Sequence, residues 1–281
     1  MSVLTINKLT ESVGAEVTAI DADRLANDDT LGAAILDALE DSGVLVFPGL
    51  GLDPEAQVAF CRRLGEIDHS SDGHHEIAGI YPVTLDTSKN ASAAYLRATF
   101  DWHIDGCTPL NDECPQKATV LSAKQVASSG GDTQFANSYA AHEDFSDEEK
   151  QRFGALRVVH SLEASQRRVN PDPSSEELAR WRARPTHEHP LVWTHRSGRK
   201  SLVLGASADY VVGMDRDEGR ALLDELLERA TRPELVYSHR WTVGDTVIWD
   251  NNGVLHRAGR YAADSERLML RTTVLGDEPI Q

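Results

Sequence analysis

The sequence has few cysteines and no long run of apolar residues. Its three cysteines, Cys61, Cys107 and Cys114, form no C-x-x-C pair, so neither a disulfide framework nor a zinc knuckle is indicated. No segment approaches the roughly 18 apolar residues of a membrane-spanning helix, and the first residues do not resemble a secretory signal. These absences predict a cytoplasmic protein with no membrane partner.

Positive charge is also scarce. The chain has 28 Lys and Arg residues against 45 Asp and Glu residues, which gives a net charge of −17. It has no dense basic block of the kind that a nucleic-acid or anionic-membrane surface requires, so we expect neither as a partner. Arginines that do cluster are therefore informative, because a small anionic ligand would need them. The sequence leaves open whether the chain forms a homo-oligomer.

The length and residue pattern predict a mainly β domain with inserted helices. Of the 281 residues, 40% are hydrophobic and 26% charged, as in a globular protein with a sizeable core. Short strands are predicted towards both ends, and residues 139–186 are largely helical and charged. We interpret residues 1–281 as a single domain with a helical insertion around 139–186. Its predicted fold is a double-stranded β-helix (jelly-roll) barrel rather than a βαβ sheet.

Local signals predict three helices and a buried strand. One helix is expected from a cap at Asp29-Thr30 to about Asp41, and a second begins at Asp53-Pro54, with Asp53 as N-cap. A third amphipathic helix is expected over residues 215–230. The apolar run at residues 44–48 predicts a buried strand.

The segment Phe100–Gly106 contains a histidine and an aspartate with metal-ligand spacing. His103 and Asp105 are two residues apart in chain that reads as extended, so both side chains should point to one face. His142 and Asp144 have the same spacing, but they lie in a predicted helix. There, residues i and i+2 are separated by about 200° around the axis and cannot hold one ion.

A third ligand must come from elsewhere in the chain, and His256 is the best candidate. In a barrel, residues far apart in sequence can face each other across the interior. Two histidines and one carboxylate form the facial triad that suits ferrous iron and leaves coordination positions open. We therefore predict His103, Asp105 and His256 as metal ligands at a catalytic centre.

Arg267 and Arg271 follow this third histidine. Their spacing of four in an apparent strand would place both on one face, about 13 Å apart, and their long side chains could converge on one cavity. An arginine on the inner face of an apolar strand is unfavourable unless an anion meets it. The alternative is a pair of surface salt bridges, and the residue pattern alone leaves both interpretations open.

Together these segments resemble the iron(II)- and 2-oxoglutarate-dependent dioxygenases of the taurine dioxygenase and 2,4-dichlorophenoxyacetate dioxygenase family. The resemblance covers nearly the whole chain, and residues 198–273 are more similar to the phenoxyacetate branch. The segments that carry it are Phe47-Pro48-Gly49, Trp102-His103-Ile104-Asp105, Gly130-Gly131-Asp132-Thr133, Gly244-Asp245, Trp249-Asp250-Asn251, His256-Arg257-Ala258 and the pair Arg267 and Arg271.

The resemblance implies a role for each matching residue. His103, Asp105 and His256 would bind Fe(II), and O2 and 2-oxoglutarate would be the cosubstrates. Thr133 and Arg267 would hold the distal carboxylate of 2-oxoglutarate, because a bidentate arginine contact and a hydroxyl fix a carboxylate in one orientation. The implied reaction hydroxylates a C–H bond and produces succinate and CO2.

The resemblance also implies that the main substrate is a small organic anion. Arg271 would bind its anionic group, and His69 would contact it from a loop. An aryloxyalkanoate or another carboxylate is expected, with an aminosulfonate as the alternative. Asn252 stands where the family often has arginine, which bears on the substrate. In a different class, a cupin-like metal isomerase or hydrolase could use a similar fold, but it would leave Thr133 and the two arginines without a shared purpose. A third interpretation is a non-catalytic metal- or anion-binding barrel, and the intact triad together with the cosubstrate arginine argues against it.

Overall fold

The computed structural model describes residues 4–70, 74–109 and 114–281. Strands and helices are numbered separately in chain order. The strands of the described chain are β1 (Thr5–Lys8), β2 (Ala15–Thr18), β3 (Val44–Phe47), β4 (Tyr81–Val83), β5 (Gln116–Gln125), β6 (Thr133–Asn137), β7 (Arg157–His160), β8 (His187–Pro190), β9 (Val192–Thr194), β10 (Lys200–Leu202), β11 (Ala208–Val211), β12 (Val236–His239), β13 (Thr246–Asp250), β14 (Val254–Ala258) and β15 (Leu268–Leu275).

Helices surround these strands and connect them. The α-helices are α1 (Ala22–Asn27), α2 (Leu31–Ser42), α3 (Pro54–Leu64), α4 (Ser138–Glu143), α5 (Asp147–Gly154), α6 (Leu162–Arg167), α7 (Ser175–Arg182) and α8 (Arg216–Ala230). Short 3-10 helices cover Tyr95–Phe100 and Pro233–Leu235. Within the described ranges, no helix combines the length and apolar character that crossing a membrane requires.

Two sheets face each other and position the site. The larger has the strand order β1-β2-β3-β13-β5-β15-β4, and the smaller has the order β12-β6-β14. Phe135 on β6 packs against Trp249 on β13, with ring centroids 5.4 Å apart, inside a core cluster shared by both sheets. The interior strand β3 is buried at every position, because the second face of the large sheet is covered as well.

Helices α2 and α3 cover that second face of the large sheet. There, the ring of Phe60 packs edge-on against the ring of Phe47, with centroids 6.2 Å apart. Asp53 caps α3 as predicted, since its side chain accepts the Ala56 N–H at 2.7 Å. For α2 the predicted start is correct, but the predicted side-chain cap is wrong. The helix starts after Thr30, but the Thr30 hydroxyl bonds Asp28 instead of the helix backbone.

The predicted helical insertion contains one strand in addition to its helices. Helices α4 to α7 lie within residues 138–182, but β7 separates α5 from α6 and pairs with β8 and β11 in a three-stranded sheet. The strand was missed because four residues, Arg157–His160, are too few to show a period between two polar helices. β9 and β10 form the predicted hairpin around Gly198.

Candidate active site

Apart from His69, the residues predicted for the metal and for the two anions meet in one cavity between the facing sheets. The smaller sheet contributes His256 from β14 and Thr133 from β6, and the larger contributes Arg271 from β15. Arg267 immediately precedes β15, which begins at Leu268 and is irregular between its first two residues. This irregularity corrects the expectation of a regular strand through both arginines.

The three predicted metal ligands converge although they are distant in sequence. A β-bridge holds His103 beside His256. The backbone N–H of each residue donates to the carbonyl of the other, with N···O distances of 3.0 and 2.9 Å. The Nε2 atoms of His103 and His256 lie 3.8 and 3.6 Å from the two Asp105 carboxylate oxygens. One ligand atom from each residue falls within 4.8 Å of the other two, so one ion can contact all three.

Hydrogen bonds orient these ligands. His103 Nδ1 lies 2.9 Å from the Asp101 carbonyl, which makes Nδ1 the protonated nitrogen and leaves Nε2 to face the site. The Thr119 hydroxyl donates to Asp105 Oδ2 at 3.1 Å, and Asn251 Nδ2 donates to the same hydroxyl at 2.9 Å. Such outer partners fix the direction of a metal-binding carboxylate.

The protonation states suit a divalent cation. Burial alone would raise the pKa of Asp105, but His256, Arg271, His103 and the Thr119 hydroxyl together lower it below its usual range. Burial, and then the neighbouring His103, lower the pKa of His256 to about 3, so its imidazole is neutral. One carboxylate and neutral imidazole nitrogen are the donors that ferrous iron takes in a facial triad. The residues present therefore fit the metal.

Replacing Thr119 by valine should weaken metal binding about 10- to 100-fold, the usual effect of losing an outer partner. Valine matches threonine in shape but removes both the bond to Asp105 and the acceptor for Asn251. Titration of the apoprotein with Mn(II) measures the affinity. Thr119→Ser, which keeps a hydroxyl, is the control and should stay close to wild type. Equal losses in both variants would contradict the orienting role.

Arg267 is a buried cation that forms no salt bridge with the residues the structure describes. It is 3% exposed, its Nη2 donates to the Gly131 carbonyl at 3.2 Å, and its guanidinium lies 4.7 Å from the Tyr261 ring centre. Burial lowers the pKa of Arg267, and in the described chain no carboxylate lies within salt-bridge distance of it. Gly131 has a φ of +77° and permits this approach, since a Cβ there would lie 3.0 Å from Arg267 Nε.

Arg271 makes no salt bridge with the described residues, although its charge acts on Asp105 from a greater distance. Its guanidinium lies 4.8 Å from the centre of the Tyr81 ring, and its buried Nε has no hydrogen-bond partner. The alternative of surface salt bridges is therefore not realised for either arginine. Two cations that line one cavity and form no salt bridge with the described residues favour anionic ligands there.

Two other histidines considered from the sequence, His69 and His142, lie outside the cavity. His69 is exposed and does not line the cavity, so the structure does not bring it to the metal site. His142 lies on α4, and Asp144 follows that helix and pairs with Arg232 on the surface. The helical H-x-D motif is thus excluded from the metal site, as its predicted secondary structure indicated.

Comparison with known proteins identifies the family. The family model described as "Taurine catabolism dioxygenase TauD, TfdA family" matches residues 5–273. The chain belongs to this family. It is therefore an oxidoreductase of the dioxygenase class that depends on Fe(II), 2-oxoglutarate and O2.

Curated relatives and solved structures agree with this family. The chain is 37% identical over 252 residues to a 2,4-dichlorophenoxyacetate dioxygenase of Burkholderia sp. (strain RASC), covering 85% of this chain and 83% of the relative. It is 30% identical over 280 residues to an (S)-phenoxypropionate dioxygenase of Sphingobium herbicidovorans, covering 97% and 95%. The crystal structure of AAD-2 with Mn(II) and N-oxalylglycine matches with a TM-score of 0.83 at 30% identity, covering 99% and 100% of the two chains.

Some residues that shape the site were not found from the sequence. Thr119 sits in an apolar strand and Tyr261 in a loop, and neither belongs to a motif that the sequence offered. Asn251 was noted only as part of the segment Trp249-Asp250-Asn251. Within that segment, Asp250 is directed elsewhere, because its carboxylate accepts the Tyr139 hydroxyl and the Asn252 N–H.

Proposed function

We propose that this dioxygenase hydroxylates a C–H bond of a small organic anion, an aryloxyalkanoate or another carboxylate, and releases succinate and CO2 from 2-oxoglutarate. The observation that carries the proposal is the union, in one cavity, of a facial triad with two arginines that make no salt bridge with the described residues. Relatives named for 2,4-dichlorophenoxyacetate and (S)-phenoxypropionate support the carboxylate class.

In this proposal His103, Asp105 and His256 hold the iron on one side and leave its other positions free. Thr133 and Arg267 receive the distal carboxylate of 2-oxoglutarate, which supplies the anion that the buried Arg267 otherwise lacks. The bound iron, with 2-oxoglutarate and O2, supplies the oxidising power to remove hydrogen from a C–H bond. The task of the chain is to bind, to orient and to exclude water.

Arg271 receives the anionic group of the main substrate. It shares the cavity with apolar side chains from the large sheet and the 3-10 helix, namely Val83, Leu96 and Leu121. These side chains can pack against the body of the substrate while the arginine fixes its charged end. We do not extend this substrate site to His69, because that side chain is exposed outside the cavity lining.

We also infer that the facing sheets belong to a double-stranded β-helix, or jelly roll, with residues 1–281 as one domain and a helical insertion around 139–186. Antiparallel pairing within the smaller sheet, and a core shared by both sheets, support the inference. The similarity to a solved chain over 99% of the residues is also consistent with a single domain.

The proposed function is tested by measuring succinate release from 2-oxoglutarate with Fe(II) and O2 across a panel of candidates. The panel contains aryloxyacetates, both enantiomers of aryloxypropionates, aliphatic carboxylates and aminosulfonates. Neutral methyl esters of the same carboxylates are the matched controls. Carboxylates should stimulate release and their esters should not, because the esters offer Arg271 no charge. Equal stimulation by the esters, or stimulation by aminosulfonates alone, would refute the substrate class.

A further inference from the structure

Thr133 is held by a tryptophan that the proposed reaction does not otherwise use. The Trp241 indole N–H donates to Thr133 Oγ1 at 2.9 Å, and both side chains are buried, at 7% and 4% exposure. Thr133 pairs with His239 in the β6–β12 ladder, and Trp241 follows that strand by two residues. The sheet register thus brings the tryptophan back beside the threonine.

The direction of this bond decides what the threonine can do. An indole N–H is only a donor, whereas a threonine hydroxyl has one hydrogen and two lone pairs. Because Trp241 occupies a lone pair of Thr133 Oγ1, the hydroxyl hydrogen must point away from the indole. The described residues provide no acceptor for that hydrogen, and Thr133 lines the same cavity as Arg267.

Trp241 is itself fixed in place from its far side. The His239 ring meets the indole edge-on, with centroids 4.5 Å apart and planes at 88°. His239 Nε2 lies 3.2 Å from a carboxylate oxygen of Asp245, and that carboxylate also accepts the backbone N–H groups of Gly49 and Thr242. The indole therefore has little freedom to follow a rotating hydroxyl.

We propose that Trp241 is a positioning residue for the cosubstrate: it fixes the Thr133 hydroxyl so that its hydrogen faces the distal carboxylate of 2-oxoglutarate. The inference rests on the proposed function, which places that carboxylate between Thr133 and Arg267. A hydroxyl that has already accepted a hydrogen bond is a stronger and better-directed donor to an anion. Trp241 touches neither the metal nor the cosubstrate and acts through Thr133.

The test is a double-mutant cycle with Trp241→Phe and Thr133→Val. Phenylalanine keeps an aromatic ring beside His239 but removes the N–H. Calorimetric titration of Mn(II)-loaded protein with 2-oxoglutarate gives the Kd without turnover. Trp241→Phe should weaken binding about threefold to tenfold, and Thr133→Val about tenfold or more. The double variant should bind no more weakly than Thr133→Val, because Trp241 acts only through that hydroxyl.

A second ligand separates positioning from general damage. 2-Oxopentanoate has the same chain length as 2-oxoglutarate but ends in a methyl group, so it offers Thr133 no carboxylate. Trp241→Phe should bind 2-oxopentanoate as well as wild type does, and its kcat at saturating 2-oxoglutarate should stay within about twofold of wild type. Trp193→Phe, at a buried tryptophan in a separate core cluster, controls for the loss of an indole. It should change stability without changing the Kd.

Three results would overturn the inference. These are additive losses in the double variant, equal losses for both ligands, or an unchanged Kd for 2-oxoglutarate in Trp241→Phe. Failure of the part of the proposed function on which the inference rests, the binding of 2-oxoglutarate, is recognised separately, because wild-type protein would then bind no 2-oxoglutarate. Such a result would remove both proposals, whereas wild-type binding with any of the three results removes only the role of Trp241.

Discussion

Replacing Asp105 by alanine is expected to abolish oxygen-dependent succinate formation and to lower the affinity for Fe(II) by more than about 100-fold. Removing an outer partner of a metal ligand already lowers affinity about 10- to 100-fold, so the loss of a direct ligand should exceed that range. Asp105 is the anion of the triad, and without it two neutral imidazoles would hold a divalent cation close to the positive charge of Arg271. Anaerobic titration with Fe(II), together with succinate assays, measures both effects.

The chain contains a matched control for this experiment. Asp144 has the same spacing from His142 as Asp105 has from His103, but it lies at the end of α4 and faces solvent. Asp144→Ala removes a surface pair with Arg232, worth no more than about 1 kcal/mol, and should retain wild-type activity. Because Asp105→Asn keeps the size of the side chain, it checks that the alanine variant does not lose activity through misfolding. Wild-type metal affinity in Asp105→Ala would remove the triad from the proposed site.

These two motifs show what local sequence can decide about a site. The H-x-D pair that binds metal and the one that does not differ only in backbone geometry. The polar, alanine-containing context of His142 was enough to predict its helix. The convergence of the third ligand, His256, depends on a bridge between distant segments. Its selection from the sequence rested on the facial-triad pattern and on the predicted barrel.

The outer partners could not be predicted, because they depend on strand register. Thr119 is opposite Trp249 in the β5–β13 ladder. Asn251 follows the last residue of β13, and this register brings its side chain within hydrogen-bond distance of the Thr119 hydroxyl. Trp241 reaches Thr133 through the separate register of β6 and β12. A shift of one residue in either ladder would turn these side chains to the opposite face.

In the fold, likewise, local sequence predicted individual helices and strands but not the order in which distant strands pair. Capping residues and apolar periods predicted α3, α8 and β3 near their observed bounds, because those signals act within a few residues. Strand order was not accessible: β13 lies between β3 and β5, which come from much earlier in the chain. The short β14 gave no clear apolar period, since His256 and Arg257 interrupt it.

Arg267 and Arg271 are expected to affect different ligands. Arg267→Ala should weaken 2-oxoglutarate binding about 30-fold or more, because truncating one partner of a buried charge pair costs about 2–5 kcal/mol. Arg271→Ala should instead raise the KM of the main substrate more than that of 2-oxoglutarate. Both expectations follow from two cations that line one cavity and make no salt bridge with the described residues. Titration of Mn(II)-loaded protein gives the cosubstrate Kd, and succinate release with the anion found by the substrate screen gives the KM.

Lysine substitutions distinguish charge from geometry at the two positions. Arg267→Lys keeps the charge but loses the planar fork that binds a carboxylate through two parallel bonds, so it should recover only part of the 2-oxoglutarate affinity. At Arg271, where the guanidinium stacks on Tyr81, lysine should lose that contact and again recover only part of the substrate affinity. Equal changes in both ligands for both alanine variants would contradict separate roles. In that case the two charges would act as one positive field in the cavity, and neither arginine could be assigned to a single carboxylate.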